Sequence, residues 1–441
     1  MITKVLVANR GEIAVRIIRC LKMMGIGSVA VFSRPDADGL WTKMADEAIC
    51  IGDKDCESSY LNMQNIIAAA LYTHCQAIHP GVGFLSENGT FADRVCQAGL
   101  IFIGPDPTTI NLLGNKIEAR KKAKATGLDI TPGSECAVKT IEEAKKTAKD
   151  IGYPIILKAS LGGGGKGMRI IRKEEELAEG LGIAQKEAKL FFGDSTVHME
   201  AYLEHPRHIE VQLLSDGNGN VIFLGERDCS VQKNHQKIIE ESPSPVVSRD
   251  LRTRLRKASV NLFRTLAYKG AGTIEFLIQD HNCCFMEVNA RIQVEHTVSE
   301  AVSGIDLVKQ MVLISDGIPS RCLGEDPPLQ GHALEVRINA LSCGKVTKFI
   351  PPIGCGIRCD SHLYEGYTVS PFYDALLAKI IVHTDSREES IRTMHEALDE
   401  LDIQGIHTNK EAVRTILDSE QFSSGKFATD LYDILEKEGK L

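Results

Sequence analysis

The segment from Thr273 to His296 restricts the fold more than any other part of this chain. Thr273-Ile274-Glu275-Phe276-Leu277-Ile278 and Phe285-Met286-Glu287-Val288-Asn289 read as the two strands of a hairpin, joined through Asp280-His281-Asn282. A three-residue loop with Asn282 in the left-handed position sets Glu275 directly opposite Glu287. Like charges that face each other across a ladder destabilise it unless something neutralises them. Ile274, Phe276, Phe285 and Val288 flank the two acids and imply burial, and a buried carboxylate needs a partner. Mg²⁺ is such a partner, since it takes one or two protein carboxylates together with phosphate oxygens and water. Strand alternation puts Asn289 on the Glu287 face. Arg291 and Glu295 follow as an anion clamp and a base. The hairpin therefore predicts a metal–nucleotide site. A solvated surface hairpin, the plainer alternative, does not explain the apolar flanks.

With 441 residues the chain is long enough for two to four domains. The net charge of −8 argues against nucleic acid or an anionic membrane as the main partner. No stretch reaches the roughly 20 apolar residues of a membrane span. The apolar run in Met1–Arg10 is too short for a signal peptide and reads as a first strand, so a cytoplasmic protein is expected. The 13 cysteines include no paired CxxC, and reduced, mostly buried thiols are the expectation.

Strands at Lys4–Ala8, Val29–Phe32, Ala77-Ile78 and Leu100–Ile103 alternate with helices, of which one opens at Asn9-Arg10-Gly11-Glu12 and one runs Asn62–Leu71. That alternation predicts a doubly wound, mostly parallel sheet. The first turn lacks G-x-G-x-x-G, so the dinucleotide fingerprint is absent. The expected division is an α/β domain over 1–111, an α+β domain over 112–325 with a mobile lid at about 131–203, and a mixed α+β domain over 326–441. Lys116 opens a basic helix, where backbone amides already favour anions.

Gly162-Gly163-Gly164-Gly165-Lys166-Gly167 is a glycine loop between two strands, suited to letting backbone amides close over phosphates. It is not a Walker A loop, since Gly167 follows Lys166. Lys158 lies in the apolar strand Tyr153–Ala159, and a buried lysine needs a counter-charge that a triphosphate supplies. The run Glu226–Lys237 is too polar for a core strand and, taken alone, reads as a surface loop.

Ala8-Asn9-Arg10-Gly11-Glu12-Ile13-Ala14, His79-Pro80-Gly81, Gly83–Asn88, Lys158-Ala159 with the glycine loop, Glu226–Ser230, His235-Gln236-Lys237 and Arg291-Ile292-Gln293-Val294-Glu295-His296 together resemble biotin carboxylase, an ATP-grasp family. The likeness runs through essentially the whole chain. It implies ATP-dependent carboxylation of biotin by bicarbonate through carboxyphosphate, with ATP and Mg²⁺ (or Mn²⁺) as cofactors. It implies that Lys116, Lys158 and Gly162, Gly163, Gly164 and Gly165 bind ATP phosphates. Glu200, Leu203, His208, Gln232 and His235 would hold adenine and ribose. Glu275 and Glu287, with Asn289, would hold the metal. Arg291, Gln293, Val294 and Lys237 would line the bicarbonate pocket, Glu295 would deprotonate bicarbonate, and Arg337 would stabilise the biotin enolate. The implied partners are a biotin carboxyl carrier protein and a carboxyltransferase on other chains, since no Met-Lys-Met signature occurs, and a homodimer. Acetyl-CoA carboxylase, and so fatty acid biosynthesis, is one setting; carboxylases of propionyl-CoA or pyruvate are others. Val82 stands where the family has an aromatic residue, Ala290 replaces a hydroxyl residue, and the 340–345 segment is short. Two rival readings are another ATP-grasp ligase that passes an acyl phosphate to an amine, and a degenerate nucleotide-binding subunit.

Overall fold

The computed structural model describes residues 1–160, 168–280, 282–318 and 321–441. Strands β1 (Lys4–Val7), β2 (Gly27–Ser33), β3 (Glu47–Gly52), β4 (Ala77–His79) and β5 (Ile101–Phe102) form a parallel sheet of order β3-β2-β1-β4-β5. The order reverses between β1 and β4, so their C-terminal ends open a crevice of the kind in which α/β sheets bind ligands. Asn9, just past β1, donates from Nδ2 to the carbonyls of Pro80 and Val82 at 2.8 Å each. Gly81 turns there at φ +68, and a Cβ on it would lie 2.8 Å from the Asn9 amide. This clasp fixes the loop that carries Val82 and Glu87. The first helix, Gly11–Met23, buries Ile13, Ile17, Ile18 and Leu21.

A small antiparallel sheet, β6 (Ile155–Ala159), β7 (Met168–Ile171) and β8 (Val197–Ala201), has the order β7-β6-β8. With the helices Ile141–Ile151 and Leu177–Phe192 it encloses its own apolar core.

The largest sheet joins β9 (Arg207–Asp216), β10 (Val221–Lys233), β11 (Gln236–Ser242), β12 (Lys269–Gln279), β13 (Asn282–Asn289) and β14 (His332–Asn339) to strands from the C-terminal part. There, β15 (Gly344–Lys345) and β16 (Lys348–Ile350) precede β17 (Ile357–Ser361), β18 (Thr368–Val369), β19 (Leu376–Thr384) and β20 (Asp402–Gln404). The eight-stranded order is β13-β12-β9-β10-β11-β14-β19-β17, while β15 pairs with β18 and β16 with β20. One face is apolar. Ile209, Val211, Leu213, Ile274 and Phe276 meet Leu255, Leu262 and Phe263 of the helix Arg249–Thr265. Val336, Ile338, Ile380 and Val382 meet Met394, Leu398 and Ile416. The other face is charged across its width. Arg227 pairs with Glu210, Glu210 with Glu275, and Glu275 with Glu287. Farther along, Glu240 pairs with Glu335, and Arg337 and Asp360 both pair with Lys379.

Three expectations are corrected. The run Glu226–Lys237 is not a surface loop: β10 extends to Lys233, and Glu226, Arg227, Asp228 and Ser230 are buried. Arg227 faces the charged layer, while Glu226 and Asp228 point to the other face, where Arg252 satisfies Glu226 and Arg207 and Ser244 satisfy Asp228. The hairpin tip is one residue shorter than expected, with Gln279 paired to Asn282 and Asp280 in the left-handed region at φ +55. A bulge at Met286 restores the count, so Glu275 still faces Glu287. The bulge also lets Phe285 turn to the apolar side, edge-on to Phe276, although it lies two residues from Glu287. Finally, the thiols are not mostly buried: Cys50, Cys96, Cys136, Cys343 and Cys355 are exposed. Strand β3 had no forecast; its alternation is hidden by four solvent-facing or half-buried residues at its start.

Candidate active site

A cavity of about 1130 Å³ lies over the charged face of the large sheet. The parallel sheet contributes Val82 and Glu87, the small sheet Lys158 and Glu200, and the large sheet most of the rest. Lys116, Leu203, His208, Gln232, His235, Lys237, Glu275, Glu287, Asn289, Arg291, Gln293, Val294, Glu295 and Arg337 all line it. The structure thus brings together every described residue that the sequence put forward for a site. Gly162 to Gly165 lie outside the described residues.

The centre is a buried alternation of acids and cations. The Lys237 ammonium bonds Glu210, lies 2.6 Å from Glu295 Oε1 and 3.2 Å from Glu275 Oε1. Burial opposes its charge, but Glu210, Glu275 and Glu295 outweigh that and hold its pKa well above the ordinary lysine value. Arg337 donates from Nε to Glu240 Oε1 at 2.6 Å and from Nη2 to Glu295 Oε2 at 3.0 Å. Glu295 is therefore gripped at one oxygen by an ammonium and at the other by a guanidinium. It sits at the N-terminal end of the helix His296–Ser303, which sets its backbone. Burial drives the Glu240 carboxyl up to about 8 despite Arg337, with Glu335 and Glu295 adding to the rise.

Arg227 is fully buried beneath this layer. Its guanidinium donates to Glu210, Gln212, Thr273, Gln293 and Ser299 at 2.5 to 3.1 Å. Lys237 and Arg227 hold the Glu210 pKa well below the carboxylate range against the effect of burial. His208 Nε2 lies 2.9 Å from Glu275 and 3.3 Å from Glu210. Burial would neutralise it, but the two acids raise its pKa to about 9, so it is an imidazolium at neutral pH.

Glu275 Oε1 also accepts from Asn289 and Gln293 at 2.7 Å each. Glu287, opposite it, meets Lys116 at 3.4 Å. Glu275 and Glu287, opposed in register and both lining the cavity, offer with the amide oxygen of Asn289 an oxygen donor set that suits Mg²⁺. Lys158 already has a protein counter-charge: Glu200 Oε2 lies 2.9 Å from its ammonium. Glu200 is shared with Arg120 at 3.1 Å and His198 at 2.9 Å, so one carboxylate serves several donors. Lys116 begins its helix beside the Asn115 cap, and its N–H donates to the Ser160 carbonyl at 3.2 Å.

Four participants had no forecast. Glu87 accepts from Arg291 Nε at 2.8 Å and from the Ala290 N–H at 3.0 Å, bridging the parallel sheet to the site loop. Glu210, Arg227 and Glu240 are the others. The alternation of His208, Glu210 and Gln212 with Ile209, Val211 and Leu213 is the signal that identifies a two-faced strand with a polar side.

Comparison with known proteins gives a consistent result. Three family models match: "Biotin carboxylase, N-terminal domain" over residues 1–110, "Carbamoyl-phosphate synthase L chain, ATP binding domain" over 115–322, and "Biotin carboxylase C-terminal domain" over 336–433. The chain is 47% identical to a biotin carboxylase of Haemophilus influenzae, covering 100% of this chain and 99% of that protein. A solved biotin carboxylase from Campylobacter jejuni, a β,γ-ATP complex, superposes with TM-score 0.95 at 44% identity, covering 98% of this chain and 99% of that one. The biotin carboxylase domain dimer of Hydrogenobacter thermophilus 2-oxoglutarate carboxylase, with MgADP, ADP and bicarbonate, gives TM-score 0.96 at 41% identity over 99% and 98% of the two chains.

Proposed function

The chain belongs to the biotin carboxylase family, and from that premise we propose that it carboxylates biotin with bicarbonate at the expense of ATP. The biotin is borne by a separate carrier protein, and the enzyme serves acetyl-CoA carboxylase or a related biotin-dependent carboxylase. The observation that carries this reading is Glu295 held between Lys237 and Arg337 at the end of the row Glu210–Glu275–Glu287. Bicarbonate must lose a proton to become a nucleophile. A carboxylate base within hydrogen-bond reach takes it, and Glu295 is that base. Lys237 and Arg291 hold the anion's charge close to it, and Gln293 and the Val294 backbone complete the pocket.

Lys116 and Lys158 take the nucleotide phosphates, and the resemblance assigns Gly162 to Gly165, outside the described residues, to the same phosphates. Glu200, Leu203, His208, Gln232 and His235 hold adenine and ribose. Glu275, Glu287 and Asn289 would hold Mg²⁺, which when bound neutralises phosphate charge. Carboxyphosphate forms by transfer of the γ-phosphoryl group to the deprotonated bicarbonate, and fixed cations stabilise the charge that spreads over the transferring group. Its breakdown yields CO₂ and phosphate, and that phosphate takes the proton from the ureido nitrogen of biotin. Arg337, already fixed by Glu240, is placed to stabilise the deprotonated ureido group of biotin that attacks CO₂. The division of the chain at 111 and 325, with a lid at 131–203, belongs to the same reading; the separate apolar core around β6–β8 supports the lid.

The test is ATP hydrolysis measured with and without bicarbonate and free biotin. Hydrolysis that requires bicarbonate and rises with biotin is expected. Hydrolysis indifferent to bicarbonate overturns the proposal and favours a ligase that activates another acid.

A further inference from the structure

Lys379 is fully buried on β19, next to Arg337 in the ladder and on the same face of the sheet. Opposed residues of an antiparallel pair share a face, so two neighbouring cations look toward the same loop. They grip consecutive residues of it by different means. Arg337 holds the Glu295 carboxylate at 3.0 Å. Lys379 Nζ donates to the Val294 main-chain carbonyl at 2.6 Å. The ammonium also lies 3.5 Å from Glu12 Oε2, at the start of the first helix, and Glu12 Oε2 has no hydrogen-bond partner of its own. Glu335 belongs to the same buried charge layer and accepts from Thr297. Nothing in the reaction outlined above uses Lys379.

A peptide unit is planar, so fixing one carbonyl oxygen fixes the plane that leads into the next Cα. Here the next Cα is that of Glu295. We infer that Lys379 is a positioning residue: through the Val294 carbonyl it sets the peptide from which the Glu295 carboxylate projects, and through Glu12 it anchors that loop to the N-terminal sheet's first helix. The inference rests on the proposed role of Glu295 in bicarbonate activation. It assigns a function to a lysine that touches no substrate.

A simple deletion confounds two effects, because Lys379→Met also strands the Glu12 carboxylate. The informative protein is Lys379→Met combined with Glu12→Gln, which removes the ammonium together with its nearest counter-charge, while Glu335 keeps Thr297 and Asp360 keeps Arg358 as partners. Lys379→Met alone is expected to lower the melting temperature, and the added Glu12→Gln to recover most of it. In the double variant kcat/KM for bicarbonate is expected to fall about tenfold or more, since misplacement of a reacting group by about 1 Å can cost 10²-fold, while KM for ATP stays at the parent value. Recovery of both stability and bicarbonate kcat/KM would show that Lys379 only balances charge, and would overturn the inference. A crystal structure of the double variant gives a readout independent of activity. A rotated Val294–Glu295 peptide, with Glu295 off Lys237 or Arg337, supports the inference, and an unmoved peptide refutes it. A parent protein whose ATP hydrolysis ignores bicarbonate would instead sink the functional proposal, leaving the structural arm to decide the role of Lys379.

Discussion

At the scale of single residues, the site is governed by which charges burial permits. Glu295 is tolerated inside the protein because Lys237 and Arg337 each take one of its oxygens. Glu295→Gln keeps the shape and removes the base. Bicarbonate-dependent ATP hydrolysis should fall by about 10²–10⁴, the usual worth of a positioned general base, while Mg·ADP binding measured by calorimetry stays intact. Unchanged turnover would remove Glu295 from the proposed role. His208 makes a different prediction. Its folded pKa of about 9 lies above the ordinary 6.5, because Glu275 and Glu210 overcome burial. A raised pKa means the folded state holds the proton more tightly. The stabilisation is complete below pH 6.5 and is lost as pH rises through 9. The full swing is on the order of 3 kcal/mol for a shift of this size. Urea unfolding of the nucleotide-free protein should show stability declining between pH 6.5 and 9.5, with a shallower decline in His208→Gln. Equal slopes in the two proteins would contradict the assigned charge state.

At the scale of elements, the large sheet works because its two faces obey different rules. Along β9 and β12 the odd-even alternation sends one set of side chains into an apolar core and the other into a layer of paired charges. The hairpin β12–β13 was readable from the sequence because two acids stood among aromatic and branched neighbours. Its tip was not, since loops of two and three residues suit the same turn residues and only packing decides between them. Phe285 had to reach the core beside Phe276, which the bulge at Met286 allows. The run Glu226–Ser230 was illegible for a related reason: a strand whose polar side chains find buried partners looks like a loop when those partners lie elsewhere in the chain. Arg227 is the clearest case, with acceptors on β9, β12 and the helix after the site loop. Arg227→Met should therefore leave Glu210 short of a partner and cost about 3–5 kcal/mol, as breaking a buried ion pair does. Denaturant unfolding monitored by fluorescence would measure it. A loss under about 1 kcal/mol, the range of a surface pair, would mean that the buried network is redundant.

At the scale of the whole molecule, the sequence motifs lie far apart in the chain and meet only because three sheets converge on one cavity. The family likeness spanned the chain, so the architecture was legible. The contacts that lock the parts together were not, because Glu87–Arg291 and Lys379–Val294 join residues far apart in sequence that no local pattern relates. That convergence has a thermodynamic consequence. Nucleotide bound in the cavity touches all three parts, so it should stabilise the molecule as a unit by mass action, by about 2.7 kcal/mol at a ligand concentration 100 times Kd. Part of that gain should depend on metal. Lys116 alone pairs with Glu287 among the described residues, at 3.4 Å, and Glu275 stands opposite in register, so Mg²⁺ held by these acids would add its charge to that of Lys116 against the phosphates. In thermal melts ADP with Mg²⁺ should therefore raise the melting temperature more than ADP with chelator. Glu287→Gln removes one of the metal's donors and the ion pair with Lys116. It should abolish the Mg²⁺-dependent increment while keeping the ADP-dependent one. An increment that survives in Glu287→Gln would place the metal on other oxygens and dissolve the link between the facing acids and the nucleotide.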